Sequence, residues 1–268
     1  DRSVSRGLGD VYKRQSEDPE LEVVGTAPDA LIALKKISEL NPDVLTLDVQ
    51  MPKMDGLTFL ERLMKSRPMP VVMVSSYTQE GSETAMRSLE LGAVDIIEKP
   101  KFEVREGLNE IAILITDKVK AAAQAKMKTA RQIFMQTSPK QSTEVVLPKT
   151  TGKRKTTDQE PLIAIGASTG GTEVLREILS SLPPTLPGIV IVQHMPKAFT
   201  GSFANSLDRV SELEIKEAED GDMVESGKAL LAPGDAHMIL KNNGSSYQAK
   251  LDTGELVNRH RPAVDVLF

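Results

Sequence analysis

Short runs of branched apolar residues alternate with amphipathic stretches along most of this chain, the pattern of strands and helices taking turns in parallel α/β domains. Near the start, "LEVVGTA" reads as a short strand, and "DALIALKKISEL" as a helix in which Ala30, Leu34 and Ile37 share a face and Asp29 stands as N-cap. The strand "DVLTLDVQ", the helix "GLTFLERLMKS", the strand "PVVMVSS", the helix "ETAMRSLELGA" and the strand "VDIIEKP" follow, so the order is βαβαβαβ. The helical stretch "EGLNEIAILITDKVKAAAQAKMK" then runs into "TSPKQSTEVVLPKTTGKRKTTDQE", which is rich in Thr, Lys, Ser and Gln and reads as a linker. Apolar strands and helical patterns resume after it. The expectation is two α/β domains, over residues 16–124 and 161–268, joined by a linker over 125–160.

Composition narrows the partners. With 268 residues the chain can bury one large core or two modest ones, and a formal net charge of -5 argues against a general nucleic-acid surface. No run approaches the about eighteen apolar residues needed to span a bilayer, and no secretory h-region opens the chain, so the expectation is a cytoplasmic protein without membrane insertion. Cysteine is absent, which removes disulfides, thiolate nucleophiles and cysteine metal sites.

Parallel α/β sheets carry functional groups at the carboxyl ends of their strands, where the loops and helix N-termini gather. In the first domain Asp48, Ser75 and Lys99 fall there. An acceptor carboxylate, a hydroxyl and an ammonium on one edge suit phosphoryl capture; a capping aspartate and a solvated lysine are the bland alternative. With "DVQMPKMDG" and "EKP" in place, the region from about Glu17 to Pro100 resembles the receiver domain of two-component response regulators. The resemblance implies a flavodoxin-like fold in which Asp48 accepts phosphate from a histidine kinase, Ser75 couples it to a conformational change and Lys99 binds the phosphoryl group. It also implies a first strand ending in an acidic pair that, with the acceptor aspartate, holds Mg²⁺. Residues 1–15, "DRSVSRGLGDVYKRQ", supply neither and read as foreign or misread sequence, leaving Asp48 alone among the implied metal ligands.

In the second domain "PLIAIGASTGGTEVLREIL" passes from an apolar strand into a helical pattern, and Gly166, Ser168 and Gly170 fit G-x-S-x-G. That motif fits a strained turn exposing a nucleophilic serine, a phosphate-cradling loop, or a plain βα turn. The next strand, in "PGIVIVQHMP", ends at His194, which should reach the same edge as Ser168. An imidazole there can take the serine proton near neutrality, so the nucleophile reading is favoured. His237, in "LLAPGDAHMIL", is expected on a hairpin bordering the site; His260, between Arg259 and Arg261, fits an acidic partner or a solvated loop equally well. The three histidines make no zinc signature.

"IAIGASTGG", "IVQHMP", "LLAPGDAHM" and "RHRPAVDVLF", in that order after a receiver, resemble the chemotaxis methylesterase family, the CheB family. The resemblance implies a doubly wound α/β esterase domain that hydrolyses glutamate methyl esters on methyl-accepting chemotaxis receptors, deamidates receptor glutamines, needs no cofactor for the hydrolysis, and is switched on by phosphorylation of Asp48 from a chemotaxis kinase. Ser168 is then the nucleophile, His194 its base, and Thr169, Gly170 and His237 candidates for the oxyanion or pocket wall. The family's third member, an aspartate, is expected beyond Phe268, with Asp265 the nearest substitute, so the chain reads as cut at both ends and weak or inactive by itself. The competing class is a receiver coupled to a non-enzymatic binding or transcriptional output; the acidic stretch "SELEIKEAEDGDM" speaks against a DNA-binding one.

Overall fold

The computed structural model describes residues 18–75, 79–99, 107–125 and 161–268. The segment 1–15 and nearly all of the linker therefore lie outside the described residues. Helix α1 (Ala30–Leu40) begins where Asp29 Oδ1 accepts from the backbone N–H groups of Leu31 and Ile32 at 3.1 and 3.0 Å, and ends at Asn41 with a left-handed φ of 47°. Its buried face is Ala30, Ala33 and Ile37, with Leu34 packed beside them. Strand β1 (Leu45–Asp48), helix α2 (Gly56–Ser66), strand β2 (Val71–Ser75), helix α3 (Gln79–Glu90), strand β3 (Asp95–Glu98) and helix α4 (Gly107–Ala123) follow. The three strands are parallel in the order β1-β2-β3, and the central one, β2, is buried along its whole length.

Residues 21–27, expected as a strand, form none. A strand exists only where its backbone groups find a ladder partner; here Thr26 instead gives its carbonyl to Lys36 Nζ at 2.7 Å, and Val23 and Val24 stay 41% and 45% exposed. The remaining alternation matches the expected order.

The second domain is built on a parallel sheet of order β4-β5-β8-β6, from β4 (Leu162–Ala167), β5 (Gly188–Gln193), β6 (Glu214–Glu217) and β8 (Lys228–Leu231). Helices α5 (Gly171–Leu179) and α6 (Lys197–Asp208) cover one face, where Ile189, Ile191, Ala229 and Leu231 meet Leu175, Leu179, Phe199 and Phe203. The alternate residues Val190, Val192, Leu230 and Ala232 point the other way, as period-two strands require. That second face is closed by a small antiparallel sheet, β7 (Met223–Val224), β10 (Tyr247–Asp252) and β9 (His237–Asn242) in the order β7-β10-β9, and by the four-residue helix α7 (Val264–Leu267). The α/β class holds for both halves, with strands covering much of the face where a second layer of helices was expected. Among the described residues no helix is long and apolar enough to cross a membrane.

The loop after β1 is clamped by Gly56, whose N–H donates to Val49 O at 2.8 Å and whose missing side chain lets α2 approach the strand end: a Cβ there would lie 2.2 Å from Asp48 O. Gly56→Ala should therefore destabilise the first domain by about 1–3 kcal/mol, the cost of overpacking a closed contact. Denaturant midpoints of the two proteins measure this, and an unchanged midpoint would show that the loop opens freely.

Candidate active site

Two groups of side chains gather at carboxyl edges. In the first domain Asp48 closes β1, Ser75 closes β2 and Lys99 follows β3, with Lys99 N–H donating to Ser75 O at 2.7 Å. Lys99 Nζ lies 2.7 Å from Asp48 Oδ2, and Asp48 Oδ1 accepts from Gln50 N–H at 2.9 Å. Ser75 is fully buried. Among the described residues no group of three His, Cys, Asp or Glu side chains forms a metal-binding cluster, so Asp48 offers Mg²⁺ a single carboxylate, already paired with Lys99. A hard cation wanting near-octahedral oxygen ligation does not fit this set, and no step is assigned to one.

In the second domain β4 and β5 pair in parallel from Leu162↔Gly188 to Ala167↔Gln193, and His194 N–H extends the ladder to Ala167 O at 3.1 Å. The next residues in register are Ser168 and His194. His194 Nδ1 stands 3.3 Å from Ser168 Oγ, with the serine exposed and the imidazole half-buried. The turn is shaped by its glycines. Gly170 takes the left-handed backbone, φ 78°, and caps α5, so the unusual conformation sits there and Ser168 is not among the residues with positive φ. At Gly166 a Cβ would come 2.4 Å from Val264 Cγ1, so only glycine lets α7 lie against β4.

Gln193 is a residue the motifs did not single out. It is 1% exposed and its Nε2 donates to Ser168 O at 3.0 Å, alongside Gly171 N–H at 2.7 Å, which pins the serine backbone from below. Its position as the last strand residue before His194 was the available signal. Thr169 and Gly170 follow Ser168 directly, at the positive end of α5, where N–H groups favour negative charge.

His237 begins β9, as the hairpin reading expected, and is buried. Ala263 N–H donates to its Nδ1 at 3.2 Å, so the ring proton sits on Nε2, 2.9 Å from Glu255 O. Both nitrogens thus serve to tie the segment on either side of His260. His260 itself stacks on His194, with ring centroids 3.8 Å apart and planes 10° from parallel. Asp265 is exposed and accepts from Asn258 Nδ2 at 3.1 Å. It makes no hydrogen bond to His194, whose Nε2 is buried without a partner among the described residues.

Desolvation is the largest cause that pushes the His194 imidazole down to about 4, with the nearby His260 and Lys118 adding to it against Asp265 and Asp95. The ring is therefore a free base throughout the neutral range. Burial, again first, also lowers His260, followed by Lys118. An unfolded histidine titrates near about 6.5, so the unfolded chain binds more protons than the native one between that pH and about 4. The stability contributed by the neutral ring is complete above the unfolded value and is lost as pH falls through this window. NMR titration of the native protein should give His194 a midpoint near about 4; a midpoint at the ordinary histidine value would refute the desolvated site.

The response-regulator receiver domain family matches residues 6–112, and the CheB methylesterase family matches residues 163–268. A protein-glutamate methylesterase/protein-glutamine glutaminase of Thiobacillus denitrificans is 53% identical over 253 residues, covering 94% of this chain and 69% of that protein. The enzyme of the same description numbered 2 in Oleidesulfovibrio alaskensis is 47% identical over 265 residues, or 99% of this chain and 74% of its own length. Among solved structures, the Thermotoga maritima CheB methylesterase catalytic domain is 45% identical with a TM-score of 0.39, covering 41% of this chain and 58% of that one. The response regulator domain of Thermotoga maritima CheB is 36% identical with a TM-score of 0.41, covering 46% and 92%. Half-identical relatives aligned over nearly the whole chain, with a receiver match followed by an esterase match, establish that this chain belongs to the receiver-linked protein-glutamate methylesterase/protein-glutamine glutaminase family, the CheB family.

Proposed function

We propose that this chain is a response regulator that hydrolyses glutamate methyl esters on chemoreceptors, releasing methanol, and deamidates receptor glutamines, releasing ammonia, under control of phosphorylation at Asp48 by a histidine kinase. The observation that carries the reading is the Ser168 Oγ to His194 Nδ1 approach of 3.3 Å at a strand edge, with the base desolvated and unprotonated. Ser168 attacks the ester carbonyl while His194 takes its proton. The tetrahedral oxyanion falls toward the N-terminal end of α5, where the Thr169 and Gly170 backbone groups are the candidate donors. Methanol or ammonia leaves with the proton returned by His194, and water repeats the cycle on the acyl-serine.

The receiver is positioned to control this chemistry. Arg176 on α5 lies 3.2 Å from Glu90 at the end of α3, Ser206 Oγ on α6 reaches the same carboxylate at 3.4 Å, and Arg259 lies 3.5 Å from Asp117 on α4. The Arg259–Asp117 pair is exposed and contributes only a few tenths to about 1 kcal/mol. The Glu90 side chain is only 23% exposed, at the rim of an apolar cluster that joins α3 to α5 and α6, so a rearrangement passed from Asp48 to α3 would act on packing as well as on charge.

One feature limits the rate. For Nδ1 to act as base the ring proton must sit on Nε2, yet no described residue accepts it. A partner there would both select that tautomer and offset the imidazolium charge; losing such a partner in a well-studied serine protease costs about 10⁴ in rate. In methanol-release assays on methylated receptor, this chain should therefore run about 10²–10⁴-fold below the Thiobacillus denitrificans relative, with Ser168→Ala removing the remainder. Turnover equal to the relative's would mean that a group outside the described residues completes the site, and turnover surviving Ser168→Ala would overturn the nucleophile assignment.

A further inference from the structure

The methylesterase reading gives His260 no part in the reaction, and the sequence left it between an acidic-partner contact and a solvated loop. The structure gives it a defined position. Its ring lies flat on the His194 ring, centroids 3.8 Å apart and planes 10° apart. Resting on the Ser168–His194 assignment, we infer that His260 is a positioning residue for the hydrolysis, its ring acting as a plate that holds the His194 imidazole edge-on to Ser168 Oγ.

Four observations support this. His194 has one nitrogen facing the serine and the other buried without a partner among the described residues, so none of these sets its rotation through a hydrogen bond at Nε2, and the face contact remains to do so. The segment carrying His260 is held at several points. Val257 and His260 exchange backbone hydrogen bonds at 3.1 and 2.9 Å, Arg261 pairs with Asp235 at 2.6 Å and with Thr253 O at 2.9 Å, and His237 holds Ala263 N–H. Asn258 and Arg259, the two residues before His260, both adopt left-handed φ, 49° and 67°; asparagine takes this region readily, but for Arg259 it is an uncommon, costly conformation that persists where the surrounding structure holds it. Finally, a second imidazole placed on the first is an electrostatic statement as well as a steric one. A charge on His260 would repel one on His194 and so adds to the burial that lowers His194, while the π-face of a neutral ring tolerates the charge that His194 acquires when it takes the serine proton.

The charged groups facing the pair are Lys118 and Asp117 on α4, Asp95 on β3, and Arg259 and Asp265 on the His260 segment. Lys118 is paired with Asp95 at 2.5 Å and Arg259 with Asp117 at 3.5 Å, so the receiver contributes charge to this environment from two elements.

The test uses the full chain, whose three histidines keep the imidazole spectrum to three sets of signals. In the wild-type protein the ring-current field of His260 should move the His194 carbon-bound protons upfield, and nuclear Overhauser contacts should join the two rings; their absence would overturn the proposal without any variant. His260→Phe keeps a plate but cannot be charged, and His260→Ala removes the plate. The His194 midpoint should rise a little in the Phe protein, which loses only the repulsion, and further toward the ordinary value in the Ala protein, which also admits water. A fluorophosphonate reports the serine directly: Oγ bonds phosphorus, fluoride leaves and His194 takes the proton. Labelling by His260→Ala should fall on the order of tenfold or more, the scale of a misaligned base, whereas His260→Phe should stay within about threefold of wild type. Equal labelling by wild type and Ala, or a Phe protein as slow as Ala, would overturn the plate. Labelling that survives Ser168→Ala would instead sink the underlying nucleophile reading. Should the wild-type serine label too slowly to follow, the shift and contact pattern in the three proteins decides.

Discussion

The parallel register of β4 on β5 is the constraint from which the candidate site follows. Because Ala167 pairs with Gln193 and the ladder continues one hydrogen bond further, Ser168 and His194 leave adjacent strands at the same level and on the same edge. A slip of one residue would turn either side chain to the opposite face of the sheet. The register is itself fixed by burial on two sides: Ile189 and Ile191 must meet the helices while Val190 and Val192 meet the antiparallel sheet, and no shifted pairing satisfies both layers. The geometry of the pair is thus paid for by the core beneath it rather than by the loop above.

Around that edge the structure uses buried polar groups to hold backbone rather than to react. Gln193 fixes the serine turn from inside the sheet, and His237 spends both ring nitrogens on backbone groups flanking the His260 segment. His237 has both ring nitrogens satisfied, whereas Gln193 is bonded through Nε2 and keeps a buried Oε1 without a partner among the described residues. His194 likewise keeps a buried nitrogen, Nε2, that no described residue satisfies.

The two domains meet through helices rather than through their functional edges alone. One apolar cluster runs from Ala85 and Met86 on α3 to Leu175, Phe203 and Leu207 in the second domain, rimmed by the Glu90 contacts to Arg176 and Ser206. Charge from α4 also reaches the histidine pair, through Lys118. A receiver able to shift α3 or α4 would therefore alter both packing and electrostatics at the esterase edge.

Much of this was legible in the sequence because the governing interactions are local. The Asp29 cap, the bounds of α2 and the strand ends that place Asp48, Ser75, Ser168 and His194 depend on periodicity and on residues a few positions apart. Family-level function was legible too, since four motifs in order after a receiver carry more information than any one of them. Other features depended on which surfaces meet. Residues 21–27 have strand composition but no ladder partner, and the face expected to carry helices is covered largely by β7, β9 and β10. His260 reads as a surface residue between two arginines and becomes the neighbour of His194 only when the β9–β10 hairpin and α7 fold back over the sheet. Sequence by itself determined the elements and the residues at their ends, because propensity, capping and alternation act within a turn or two of chain. Tertiary structure alone decided which ring lies on which, because stacking and desolvation depend on distances between segments that no local pattern encodes.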